Sequence, residues 1–164
     1  MSVLVAGDWW QAKREMGHLL DAVTVSEAAV VTGRDTVGNS LIKNFGGGAN
    51  QYLSQSERDT ANREIETQCA TAAADVQDKG AQVGEVFVLP WHRSLGGALN
   101  AYLAHSKAWQ SLFSACADDA ARYADGSKTA QITATFRVAH RAFTKAIPIA
   151  DESDHSRVET LFKG

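Results

Sequence analysis

The chain is poor in proline and cysteine, with two of each among 164 residues. Pro90 and Pro148 leave long stretches open to helix, and both fall at the edges of apolar periodic segments, where proline belongs. Cys69 and Cys116 show no Cys-x-x-Cys and no metal-ligand spacing, so they read as two buried thiols of a reducing compartment. No apolar run approaches the ~20 residues of a membrane helix, so no membrane partner is expected. The start, MSVLVAGDWW, has neither a basic region nor an apolar core of signal-peptide type. A net charge of −3 lacks the global basic excess of a general nucleic-acid binder, yet leaves room for a local basic stripe. Dinucleotide, P-loop, zinc-protease and nucleophile-elbow motifs are all missing, and nothing argues positively for an enzyme.

What is present is helical periodicity. Hydrophobic residues make up 45% and charged residues 21%, an ordinary globular balance, and the length suits a single domain over 1–164. Trp9, Met16, Leu19, Leu20 and Val23 keep a helical period with Asp8 as N-cap. Val30, Val37, Leu41, Ile42 and Phe45 mark a second helix, stopped by Gly46-Gly47-Gly48. Ser54 and Glu57 form a capping box. It opens a third, Ala-rich helix over about 54–79, carried by Ile65, Cys69, Ala72 and Val76 and ended by Gly80. Within the segment 46–80, this helix reads as an insert between two helical pairs. Val83 to Leu89 reads as one extended segment, at most a short strand over 83–89. A fourth helix runs from Trp91–Ser94 toward Tyr123, and a fifth carries Ile132, Phe136, Ala139, Phe143 and Ile147. A polar tail covers 151–164 and turns apolar at Val158, Leu161 and Phe162. The sum is an all-α antiparallel bundle.

Charge is unevenly spread. From Gly126 to Ala150 there is no acid, while Lys128, Arg137, Arg141 and Lys145 lie there. Arg137, Arg141 and Lys145 share one helical face at i, i+4 and i+8. A solvated face is the commoner reason for such a run; the lack of interleaved acids points toward an anionic partner. Glu15-Met-Gly-His18 has the spacing of di-iron bundles, but no second copy exists and the match reads as chance. His92 reads as a helix-boundary residue, and His140 as a member of the basic face. Trp9 and Trp10, being adjacent, cannot both face one core, so one of them is expected at an interface.

The order of these passages resembles the coat proteins of rod-shaped, positive-strand RNA plant viruses, the tobacco mosaic virus and tobravirus group. The likeness rests on Asp8-Trp-Trp-Gln-Ala-Lys through His18-Leu-Leu, on Gly33-Arg34-Asp35, and on Glu85-Val-Phe-Val-Leu leading into Ser94-Leu-Gly-Gly-Ala-Leu-Asn-Ala-Tyr-Leu. Phe136-Arg-Val-Ala-His-Arg-Ala-Phe and the stretch from Ser153 to Phe162 complete it. Two departures stand out: the additional helix, and the lack of the family's paired Asp residues in the last long helix, where Ala139-His140 stand.

The resemblance implies a four-helix bundle of the coat-protein type that assembles into a helical homopolymer around single-stranded RNA, as a virion or, before assembly, in host cytoplasm. It also implies RNA contacts at Arg34 in the turn opening the second helix, at Lys107 near the inner end of the fourth, and at Arg137, with Arg141 one turn on, at the start of the last. Asp118, Asp119 and Asp125 would be subunit-interface carboxylates, with Ca²⁺ as the one conceivable cofactor; ordinary solvated loop acids explain them equally. The alternative is a helical protein–protein interaction or adaptor module without nucleic acid. A metal protein or enzyme using Glu15 and His18 is a third reading.

Overall fold

The computed structural model describes residues 2–147 and 152–163, with the side chains of 2–6, 49 and 50 left aside. The described chain is helical, with no strand. Helix α1 spans Ser2–Phe45, α2 Gln55–Gly84, α3 Arg93–Asp118, α4 Gly126–Ala146 and α5 Glu152–Leu161. Short 3-10 turns at Gly46–Gln51 and Ala120–Ala124 link α1 to α2 and α3 to α4. Among the described residues no helix is long and apolar enough to cross a membrane.

The two helices expected between Asp8 and Phe45 are one helix of 44 residues, about 66 Å long at the ordinary rise. Nothing between Thr24 and Thr32 breaks a helix. Gly33, which looked like a helix start, is a packing residue: a Cβ there would lie 2.8 Å from Ala72 Cβ and 3.0 Å from the Phe113 ring. Asp8 caps nothing, being inside α1. Gly80 likewise does not end α2, which runs on to Gly84; it is needed because Ser106 Oγ would sit 2.6 Å from its Cβ. The Gly46–Gly48 stop does hold, with Gly47 and Gly48 at positive φ (62° and 79°), where glycine is unstrained. The Ser54 capping box is also present, Ser54 N donating to Glu57 Oε2 at 2.8 Å and Glu57 N to Ser54 Oγ at 3.3 Å.

Helices α1 to α4 run alternately up and down. Gly33 meets Ala72 across α1 and α2, Gly80 meets Ser106 across α2 and α3, and Lys128 Nζ donates to Ser111 Oγ at 2.8 Å across α3 and α4. The segment taken for an insert is a central member. Ile65, Cys69, Ala72 and Val76 of α2 pack with Val30 and Val37 of α1 and Phe113 and Cys116 of α3. The two cysteines are not thiols: they form a disulfide, with Cα atoms 5.7 Å apart. A second apolar cluster joins Met16, Leu19, Leu20 and Val23 to Leu95, Ala98 and Tyr102, Ala139 and Phe143, and Val158 and Phe162. The C-terminal segment is therefore no polar tail but a helix whose apolar edge closes this end of the core.

The segment 83–89 is not a strand. Val83 and Gly84 finish α2, and an irregular connection follows. Val86 and Val88 pack inward while Phe87 stands out, the alternation of an extended chain. Among the described residues no second extended segment shares its hydrogen bonds, so no ladder forms there.

Candidate functional site

The four expected RNA contacts fall on three helices, with Arg34 on α1, Lys107 on α3, and Arg137 and Arg141 on α4. Arg34 lies within α1, its main-chain carbonyl accepting from Tyr123 Oη at 3.5 Å and its guanidinium paired with Asp35 at 3.0 Å. Lys107 lies past the middle of α3, above the seam with α2 beside Gln77 and Ala81. Arg137 stands in the middle of α4, not at its start, because α4 begins at Gly126. Arg137, Arg141 and Lys145 are exposed on one face of α4, as the spacing predicted. None of the three has an ion-pair partner among the described residues. His140, between them, turns inward instead: its ring stacks on Phe162 at 5.4 Å between centroids, and Nε2 stands 3.5 Å from Glu159 Oε1.

Two of the three acids, Asp119 and Asp125, have local work. Asp119 Oδ1 accepts from Ala121 N at 3.0 Å and so caps the 3-10 turn. Asp125 Oδ1 caps α4, accepting from Ser127 N at 2.8 Å and Ser127 Oγ at 2.7 Å. Those bonds hold the Asp125 carboxyl below its ordinary range. Asp118 is simply the exposed last residue of α3. Among the described residues no three His, Cys, Asp or Glu side chains converge as a metal site.

A polar cluster that the pattern did not foretell joins Asp8, Glu15 and His92. Glu15 is 3% exposed at its side chain and holds His92 Nδ1 at 2.7 Å. The same carboxylate accepts from Leu89 N at 3.2 Å and from Gln11 Nε2 at 3.2 Å. Asp8 Oδ1 takes the other side of the ring, 3.1 Å from His92 Nε2, and also accepts from Trp91 Nε1 at 2.9 Å. A carboxylate on each ring nitrogen makes both nitrogens donors, which is the imidazolium form. Burial works against that charge, but the bonds to Glu15 and Asp8 outweigh it and hold His92 above its ordinary value. For Glu15, burial is outweighed in turn by His92, Gln11 and the Leu89 amide, so its carboxyl lies low. The effect is to staple the α2–α3 connection onto α1. One signal for this was legible: Glu15 falls four residues before Leu19, on the buried face, and a buried carboxylate needs a partner.

This staple presents aromatic side chains to solvent. Trp10, Trp91 and Phe87 are 61%, 62% and 71% exposed, and Trp9 is 48% exposed. Both adjacent tryptophans therefore lie outside the core. Trp9 and Trp91 wall a cavity of ≈ 260 Å³ floored by Met16 and Leu95. Comparison with protein-family models, curated proteins and solved structures finds no match for this chain.

Proposed function

We propose that this protein is a helical interaction module that engages a protein partner through the aromatic end where α1 meets the α2–α3 connection. The observation carrying this reading is that Trp10, Phe87 and Trp91 stay exposed on backbone that the Asp8–Glu15–His92 network holds in place. Clustered exposed aromatics are enriched at protein interfaces, and fixing them beforehand lowers the ordering penalty of binding. The test is association of the purified chain with its native complex, compared with Trp10→Ser and Trp91→Ser together. The expected outcome is loss of association with an unchanged far-ultraviolet spectrum and melting temperature. Unchanged association in the double variant removes the assignment.

A second reading, the RNA-packaging coat subunit of a rod-shaped virion, is favoured by one observation: Arg137, Arg141 and Lys145 are exposed on one face of α4, and none of them has an ion-pair partner among the described residues. Phosphate contacts of this kind bind without reading bases, as a coat requires, and many subunits along one strand multiply a few cations into tight binding. Arg34 and Lys107 would then act at separate contacts, and a Ca²⁺ switch would need Asp118, Asp119 or Asp125 from more than one subunit. Negative-stain microscopy at about pH 5.5 and pH 8, with the 260/280 nm absorbance ratio, separates the two readings. Rods with a raised ratio establish the coat; a small discrete species with a protein-like ratio leaves the module.

A further inference from the structure

A groove of ≈ 560 Å³ opens between α1, α3, α4 and the last turn of α5. Val31, Trp109, Ile132, Phe136 and Leu161 line its walls. Its floor is polar: Glu27, whose side chain is 18% exposed, and His105, 1% exposed. This is the make-up of a small-molecule site, mostly apolar with a few convergent polar groups.

The polar floor is short of a donor. Tyr102 Oη donates to Glu27 Oε2 at 3.1 Å. His105 Nδ1 lies 3.2 Å from Thr135 Oγ1, whose own hydrogen goes to the Gln131 carbonyl at 2.9 Å, so Nδ1 is the protonated nitrogen. Nε2 is then an acceptor; it is buried, unpartnered, and 3.9 Å from Glu27 Oε2, a second acceptor. Burial depresses the imidazole to about 4, against a backbone bond at Ile132, so His105 does not supply the missing positive charge. Burial also lifts Glu27 above its ordinary range, despite Tyr102 and Arg34. Two facing acceptors under apolar walls want a cationic donor.

We propose that this groove binds a small organic monoamine with an aromatic-sized apolar body, its ammonium seated on Glu27 and its body against Trp109, Ile132 and Phe136. The ammonium supplies the donor and charge that the floor lacks, and Trp109 adds a π-face beside it. Arg34 and Lys163 stand at the rim, so a diamine would bring its second charge against like charge. The site is independent of the aromatic end.

Phenethylamine is the probe, titrated calorimetrically into the full chain, with phenylacetate and 1,4-diaminobutane as counterparts. One saturable site below about 1 mM for phenethylamine is expected, with weaker or no binding of the other two. Glu27→Gln should weaken phenethylamine at least about tenfold, the loss of one charge-assisted bond. Ile132→Trp, which fills the groove and spares Glu27, should abolish binding, and it carries the test if the Gln variant melts early. No saturable binding, equal binding of phenylacetate, or full binding by either folded variant overturns the proposal.

Discussion

His92 meets a carboxylate on each ring nitrogen, and that geometry has a pH signature. Its folded-state value is raised, so the stability it contributes is fully present below about pH 6.5, the unfolded value, and is lost as pH rises through the folded one. Glu15 and Asp8 are lowered, so their share is present above their unfolded values and lost as pH falls through the folded ones. The network is therefore strongest between about pH 5 and 6.5. His105 works the opposite way, since its depressed value makes the fold lose stability as pH falls below about 6.5. The whole-protein profile mixes these effects, and a difference between variants isolates one. His92→Gln keeps one donor nitrogen and loses the charge. It is expected to destabilise the fold by about 1–2 kcal/mol near pH 5.5 and by much less near pH 9. Denaturant unfolding of both proteins at the two pH values reads this directly; a gap that is constant with pH would mean that His92 is not charged in the fold.

At the scale of elements, α2 and α3 are joined both by packing and by the Cys69–Cys116 bond, which closes a loop with a sequence separation of 47. Loop-closure entropy for that length gives a stabilisation of up to about 4 kcal/mol. Cys69→Ala with Cys116→Ala should lower the melting temperature, and dithiothreitol should lower that of the natural chain while leaving the variant unchanged. A natural chain indifferent to reductant would show that the two sulfurs are not bonded in solution. The pairing was not legible in the sequence, because apolar helix positions explain each cysteine alone and only the antiparallel register of α2 and α3 brings them together. The same holds for Gly33 and Gly80, whose meaning lies in Ala72, Phe113 and Ser106, residues far along the chain. What could be read was what depends on near neighbours: the apolar stripes, the Gly46–Gly48 stop, the Ser54–Glu57 box and the shared face of Arg137, Arg141 and Lys145. The helix boundaries read from the single glycines Gly33 and Gly80 failed for the same reason. Of the candidate site, the exposure of Trp9 and Trp10 was half legible; of the staple beneath them only the need of Glu15 for a partner could be read, since His92 reaches Glu15 across 77 positions.

For the molecule as a whole, the charge distribution separates the two functional readings by salt dependence. A net charge of −3 repels nucleic acid at long range, so RNA binding would have to come from the α4 face at short range. Three cations engaging phosphates on a single strand release about two counterions, giving a log–log slope of affinity against salt near −2. Replacing Arg137, Arg141 and Lys145 by Gln together should remove that slope and the binding with it, while stability changes little, because all three are exposed and without ion-pair partners among the described residues. The aromatic-end module behaves otherwise: apolar contact is only weakly salt-dependent, and the triple variant should associate with its partner as the natural chain does. Fluorescence anisotropy with a labelled single-stranded RNA, across a salt series and in both proteins, distinguishes the cases. A slope near −2 that vanishes in the triple variant makes α4 the working surface and moves the coat reading to the front. Affinity that is absent in both leaves α4 as a solvated face and removes the RNA contacts from the coat reading.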